Sequence, residues 1–235
     1  MSKRVAPAAV DAGSIEVAYR VRDLTIEQAE TGKIVRVGDF WEKGNGQPVL
    51  LVLLRRFGCA VCRMMAANMS ALKPEFDQRG ITMIGIATGK EGYEEFVKAK
   101  FWTGEIYFDE EKHMYNALGC QCNSWKNAWG LFDPQVQPLF KVARKKNIEN
   151  NFRGDINQYG ATFMLAPPDG SLLFGHYQTS KCFTPDMPAL MTSVNIPVPE
   201  DYDPYGAPDP TREMLQKEAV AQVQQDSGNE TVSSG

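Results

Sequence analysis

The chain has 235 residues, of which 43% are hydrophobic and 23% charged, with a net charge of −4. That is enough apolar material for a substantial core, and the slight acidity argues against a general nucleic-acid binder. No apolar stretch approaches the roughly 20 residues that cross a bilayer. After Lys3-Arg4, Pro7 and Asp11 interrupt the segment before a signal-peptide core forms. The expected compartment is therefore the cytoplasm. There, five cysteines read as thiols, redox pairs or metal ligands, and their odd number fits a disulfide framework poorly.

Residues 1–14 read as a flexible leader, 15–196 as the folded domain, and 197–235 as a Pro/Asp-rich extension, partly disordered by composition. Ile15 to Leu24 is weakly patterned and fits either a strand or a short helix. Lys33 to Trp41 contains a strand-like piece, and Gly44 to Pro48 is a turn. Val49 to Leu54 is unbroken aliphatic and predicts a strand buried on both faces. Arg63 to Gln78 has helical spacing, with Pro74 placed to kink or divide it and Gly80 to stop it. Ile81 to Ala87 is a second apolar strand. Glu91 to Phe101 predicts a helix with Tyr93, Phe96, Val97 and Phe101 on one side. Glu105 to Phe108 is a short strand, after which Asp109 caps a helix running to Leu118 and ending at Gly119. Gly160 to Ala166 and Ser171 to His176 form a hairpin, and Thr184 to Val194 the last core helix. Strands alternating with helices and ending antiparallel predict an α/β, thioredoxin-like sandwich: a central, mostly parallel sheet with helices on both faces.

Cys59-Ala-Val-Cys62 stands at the junction of the buried strand and a helix. Thiolate is the reactive form, and unpaired N–H groups at a helix N-terminus favour negative charge. Such sites lower a thiol pKa from about 8.5 into a range of roughly 3.5–7.5. Arg55, Arg56 and Arg63 add positive charge nearby. The pair is a candidate redox centre; two buried structural thiols, or half a zinc site, are the plainer alternatives.

Cys120-Gln-Cys122 follows the Gly119 stop. It is a candidate second redox pair, or simply two loop thiols, and its separation from the first pair is not zinc-ribbon spacing. Cys182 reads as a small hydrophobe. Trp125, Trp129, Phe132 and Phe140 either bury the long segment after the third helix or line an apolar groove. Met64, Met65 and Met69 read as helix core. His113 and His176 have no partner that sequence can name, and Glu75 and Asp77 read as solvated helix-face charges. Arg144-Lys145-Lys146 reads as a solvated helix end. No Gly-rich dinucleotide loop is present.

The segment from Leu54 to Arg63, Leu-Arg-Arg-Phe-Gly-Cys-Ala-Val-Cys-Arg, resembles the peroxiredoxin-like 2 family, in the AhpC/TSA class, whose members include prostamide/prostaglandin F synthase and selenoprotein U. Phe40-Trp41, the stretches 104–109 and 115–119, and Arg153 to Gly160 are similar too. Together they span roughly residues 20–195. The resemblance implies a thiol-dependent reductase of a peroxide or endoperoxide, with no bound cofactor or metal. Electrons would come from NADPH through thioredoxin reductase and thioredoxin, or a similar dithiol, and the substrate would be apolar or lipid-like. Departures stand beside it. Peroxiredoxin sites resemble Pro-x-x-x-Thr-x-x-Cys; here Arg55 stands for the proline and Cys59 for the threonine, with Cys62 in the peroxidatic place. Gly160-Ala161 precedes Thr162-Phe163, where relatives place an arginine and thioredoxins a proline. By analogy with thioredoxin an exposed Cys59 attacks; by analogy with peroxiredoxins Cys62 does. A redox sensor using the pair as a switch, or a general thiol–disulfide oxidoreductase, is the rival expectation.

Overall fold

The computed structural model describes residues 16–120, 137–151, 154–155, 158–178 and 184–203. Leading segments form α1 (Glu16–Val21), the hairpin strands β1 (Thr25–Gln28) and β2 (Ile34–Arg36), and α2 (Asp39–Glu42). The central alternation follows: β3 (Val49–Leu54), α3 (Ala60–Ala71), α4 (Lys73–Gln78), β4 (Thr82–Ala87), α5 (Tyr93–Lys98), β5 (Glu105–Phe108) and α6 (His113–Ala117). After α7 (Gln137–Lys145) come the antiparallel β6 (Ala161–Ala166) and β7 (Ser171–Tyr177), then α8 (Met187–Ser193).

The sheet has seven strands in the order β2-β1-β5-β4-β3-β6-β7. β3, β4 and β5 are parallel, and the strands flanking them run antiparallel. The expected sandwich is present. Alternation along β3 explains its continuous apolar run, since a strand covered on both faces has no solvent side. Leu50, Val52 and Leu54 face a core built with α3, α4, α5, α7 and α8. Val49, Leu51 and Leu53 face a second core built with α1, α2 and α6.

Local chemistry sets the breaks. The helix after the cysteines is divided at Leu72, and Pro74 lies in the first turn of α4, where its missing N–H is least costly. The N-cap of α6 is Lys112 and the helix starts at His113, not at Glu110 as expected for an Asp109 cap, but the Asp109 carboxylate still accepts from His113 N and Met114 N (2.9 and 2.8 Å). Gly119, at φ +70°, ends that turn. Val97, expected on the apolar side of α5, is instead 36% exposed, because the short helix buries only Phe96. Ile196 is buried and Tyr202 packs on the larger core, so the described start of the Pro/Asp-rich segment lies against the domain.

Candidate active site

β3 ends at Leu54, and five residues later Cys59 is the N-cap of α3 with extended backbone (φ −82°, ψ 121°). Cys62 lies one turn inside the helix, so both thiols sit together at its N-terminal end. Cys59, Cys62 and Cys120 are thiols that no disulfide joins. Cys59 is fully buried and Cys62 is 3% exposed. The expectation of an exposed Cys59 is thereby corrected: Leu139 and Phe140 of α7 pack on the cluster of Cys59, Val61 and Cys62. The basic run ending α7 does face water, as Arg144 and Lys145 are exposed.

The segment following α7 clamps the cysteine loop. Asn151 N donates to Gly58 O (2.8 Å) and Ala60 N donates to Asn150 Oδ1 (3.1 Å). Arg56 donates to Asn151 O at 2.7 Å. Arg63 donates to Phe57 O (2.7 Å) and Glu149 O (3.2 Å), and pairs with Glu95 at 2.7 Å. Its guanidinium also lies over the Phe101 ring. Arg63 therefore spans the loop, the clamp and α5, with its charge directed to Glu95 and backbone carbonyls. Gly58 allows the close approach, since a Cβ there would stand 1.9 Å from Asn151 Oδ1 and 3.0 Å from Asn151 O.

The two thiols are in hydrogen-bond contact. The Cys62 thiol is pushed well up, first by its hydrogen bond with Cys59, then by burial and by the Cys59 charge, while Arg55 pulls it the other way. Arg55 is buried and close enough to hydrogen-bond Cys62. Beneath the site, the Tyr115 hydroxyl lies 2.7 Å from both Leu54 O and Ile86 O, tying the C-terminal ends of β3 and β4.

Cys120 is not brought to this cluster. It belongs to the opposite core, with its N–H donating to Tyr115 O, and burial pushes its thiol up to about 12. Tyr115 is within electrostatic reach of both Cys120 and Cys62. Cys122, Cys182, Trp125, Trp129 and Phe132 lie outside the described residues. Asn150, Asn151 and the α7 cover were missed from sequence. An Asn-Asn pair beyond an amphipathic segment is their only local signal.

Prostamide/prostaglandin F synthase of Danio rerio is 32% identical over 172 residues, covering 73% of this chain and 84% of that protein. The protein of the same name from Bos taurus is 32% identical over 162 residues, covering 68% and 79%. The AhpC/TSA antioxidant enzyme profile matches residues 68–180. This chain belongs to the prostamide/prostaglandin F synthase family. Peroxiredoxin Q of Xanthomonas campestris superposes with TM-score 0.50 at 14% identity, covering 76% of this chain and 92% of that one. A PrxQ mutant from Xylella fastidiosa gives 0.50 at 11% identity, covering 74% and 88%. These two likenesses establish the thioredoxin-like fold alone. The profile match begins beyond Cys62, so the chemistry of the thiol pair rests on its own geometry.

Proposed function

We propose that the chain is a thiol-dependent reductase of a peroxide or endoperoxide, with Cys59 as nucleophile and Cys62 as resolving thiol. The carrying observation is geometric: two buried thiols in hydrogen-bond contact, one at the N-cap and one in the first turn of α3, with Arg55 close enough to hydrogen-bond Cys62. In the proposed cycle, the Cys59 thiolate attacks one peroxide oxygen. An S–O bond forms, the O–O bond breaks, and the departing alkoxide takes the Cys62 proton. Cys62 thiolate then attacks the Cys59 sulfur and expels the second oxygen as alcohol or, from a hydroperoxide, as water, with one solvent proton. The disulfide carries the two electrons lost, and a thioredoxin-type dithiol restores both thiols by exchange. NADPH enters only through the reductase of that dithiol, and the reducing cytoplasm is the compartment that suits this cycle.

Arg55 and Arg56 support the loop, and Arg63 anchors it. The family membership supports an oxidoreductase, and the relatives' name motivates an endoperoxide as one substrate to offer.

The test is NADPH oxidation coupled to thioredoxin and thioredoxin reductase, offering hydrogen peroxide, an organic hydroperoxide and a prostaglandin endoperoxide in parallel. Sustained turnover is expected, abolished in Cys59→Ser and in Cys62→Ser and retained in Cys120→Ser and Cys122→Ser. Activity surviving in both of the first two variants overturns the reading. A second reading, a redox sensor, is favoured by the burial of both thiols under α7. It calls for one disulfide per chain and then no further NADPH consumption.

A further inference from the structure

Away from the thiols, helices of this fold begin against a carboxylate. Asp109 accepts from the first N–H groups of α6, and the Asp186 side chain accepts from Ala189 N (3.0 Å) at the start of α8. α3 is built differently. Its N-cap is Cys59, whose side chain makes no capping hydrogen bond, and its first turn holds no acidic residue. A thiol sulfur is a weak acceptor, so it serves poorly as a cap. The missing acceptor comes from 90 residues along the chain, where Asn150 Oδ1 takes the Ala60 N–H at 3.1 Å.

We propose that Asn150 is a positioning residue for the thiol pair: it caps α3 in place of Cys59, and does so with a neutral amide so that the Cys59 thiolate meets no second negative charge. The inference rests on the reductase reading for the role of Cys59 and adds a residue that tunes it.

Asn150 is held from both sides. Glu149 O accepts from Arg63 (3.2 Å), and Asn151 N donates to Gly58 O (2.8 Å). Backbone contacts to the loop that carries Cys59 therefore aim the amide. Asn and Asp cap helices about equally well, so capping alone does not select the amide. The surroundings of Cys59 do. Cys62 hydrogen-bonds it from α3, and Arg55 of the loop lies against Cys62. Arg63 is directed to Glu95 and backbone carbonyls. α7 presents Leu139 and Phe140, which carry no charge, and Tyr115 beneath is kept neutral by burial. The Glu149 residue is exposed, so water screens its carboxylate. A carboxylate in place of the Asn150 amide would stand beside the residue that bears the thiolate, with little water between.

The test is the pH profile of Cys59 labelling by iodoacetamide in the full, reduced chain, read by mass spectrometry, with thermal melts alongside. Asn150→Asp keeps the acceptor, so its melting temperature should stay near that of wild type. Like charges within about 6 Å disfavour each other, so the labelling midpoint should rise by about one pH unit, with labelling about tenfold slower below it. Asn150→Ala removes the acceptor and should lower the melting temperature by roughly 2–4 °C without raising the midpoint. A purely structural residue would move the profile with stability, not against it. A midpoint unmoved by Asn150→Asp, one raised equally by Asn150→Ala, or an Asp variant less stable than the Ala variant overturns the proposal. Its failure is separable from that of the reductase. A midpoint shift in Asn150→Asp without turnover of any peroxide keeps the role of Asn150 and removes the reductase. Turnover that needs Cys59, with an unmoved midpoint, keeps the reductase and removes the role of Asn150.

Discussion

Tyr115→Phe removes one oxygen and leaves the ring in place, so it isolates what the hydroxyl does. Tyr115 is fully buried, and its hydroxyl lies 2.7 Å from Leu54 O and from Ile86 O. A hydroxyl has one proton, so it satisfies one of these carbonyls fully at any moment. Its loss leaves a desolvated acceptor that no water can reach. A buried polar group deprived of its partner costs about 1–3 kcal/mol, and the middle of that range lowers the melting temperature by roughly 4–8 °C for a chain of this size. Thermal melts of wild type and variant at one pH measure it. A shift below about 1 °C would refute the claim that this hydroxyl ties the ends of β3 and β4 together.

Two other predictions come from the same region. Phe140→Ala thins the cover over the thiols, and loss of a half-buried aromatic contact should speed iodoacetamide labelling of Cys59 about tenfold through easier local opening. Equal labelling rates would show that α7 does not control access. The second concerns alkaline pH. Burial raises the Cys120 thiol from 9.0 to about 12. The unfolded chain then ionises first as pH rises, so the stability this thiol contributes is complete below pH 9 and declines up to about 12. Relative to Cys120→Ala, wild type should lose about 1 kcal/mol between pH 9 and pH 10, read from urea midpoints. Parallel pH profiles in the two proteins would contradict it.

Much of the site was legible because its signals are local. The aliphatic run of β3 can be buried on both faces only in a central strand, and cysteines spaced three apart after it fall on the first turn of α3. Pro74 marked the division of the helix for an equally local reason, its missing N–H. The β1–β2 hairpin was not legible as such: strands of four and three residues, half exposed, carry too few alternations to stand out from a loop. Exposure of Cys59 was misjudged because a helix N-cap faces solvent unless another element covers it, and the covering residues are about 80 positions away. Local patterning shows α7 as amphipathic but says nothing about which surface it meets. The roles of Arg56 and Arg63 had the same difficulty, since charge near a motif does not reveal direction, and their partners at Asn151 and Glu149 are 95 and 86 residues along the chain.

Those long separations bear on how the molecule is made. Contacts that close such large loops form late, because chain entropy must be surrendered before they repay it. Synthesis completes Cys59 and Cys62 well before Leu139, Phe140 and the asparagine clamp leave the ribosome. For that interval the pair has a strand and a helix to hold it, but nothing over it. The nascent chain is thus open to mispairing with other thiols that the covered pair excludes, and its vulnerable period is set by translation of the segment up to Asn151.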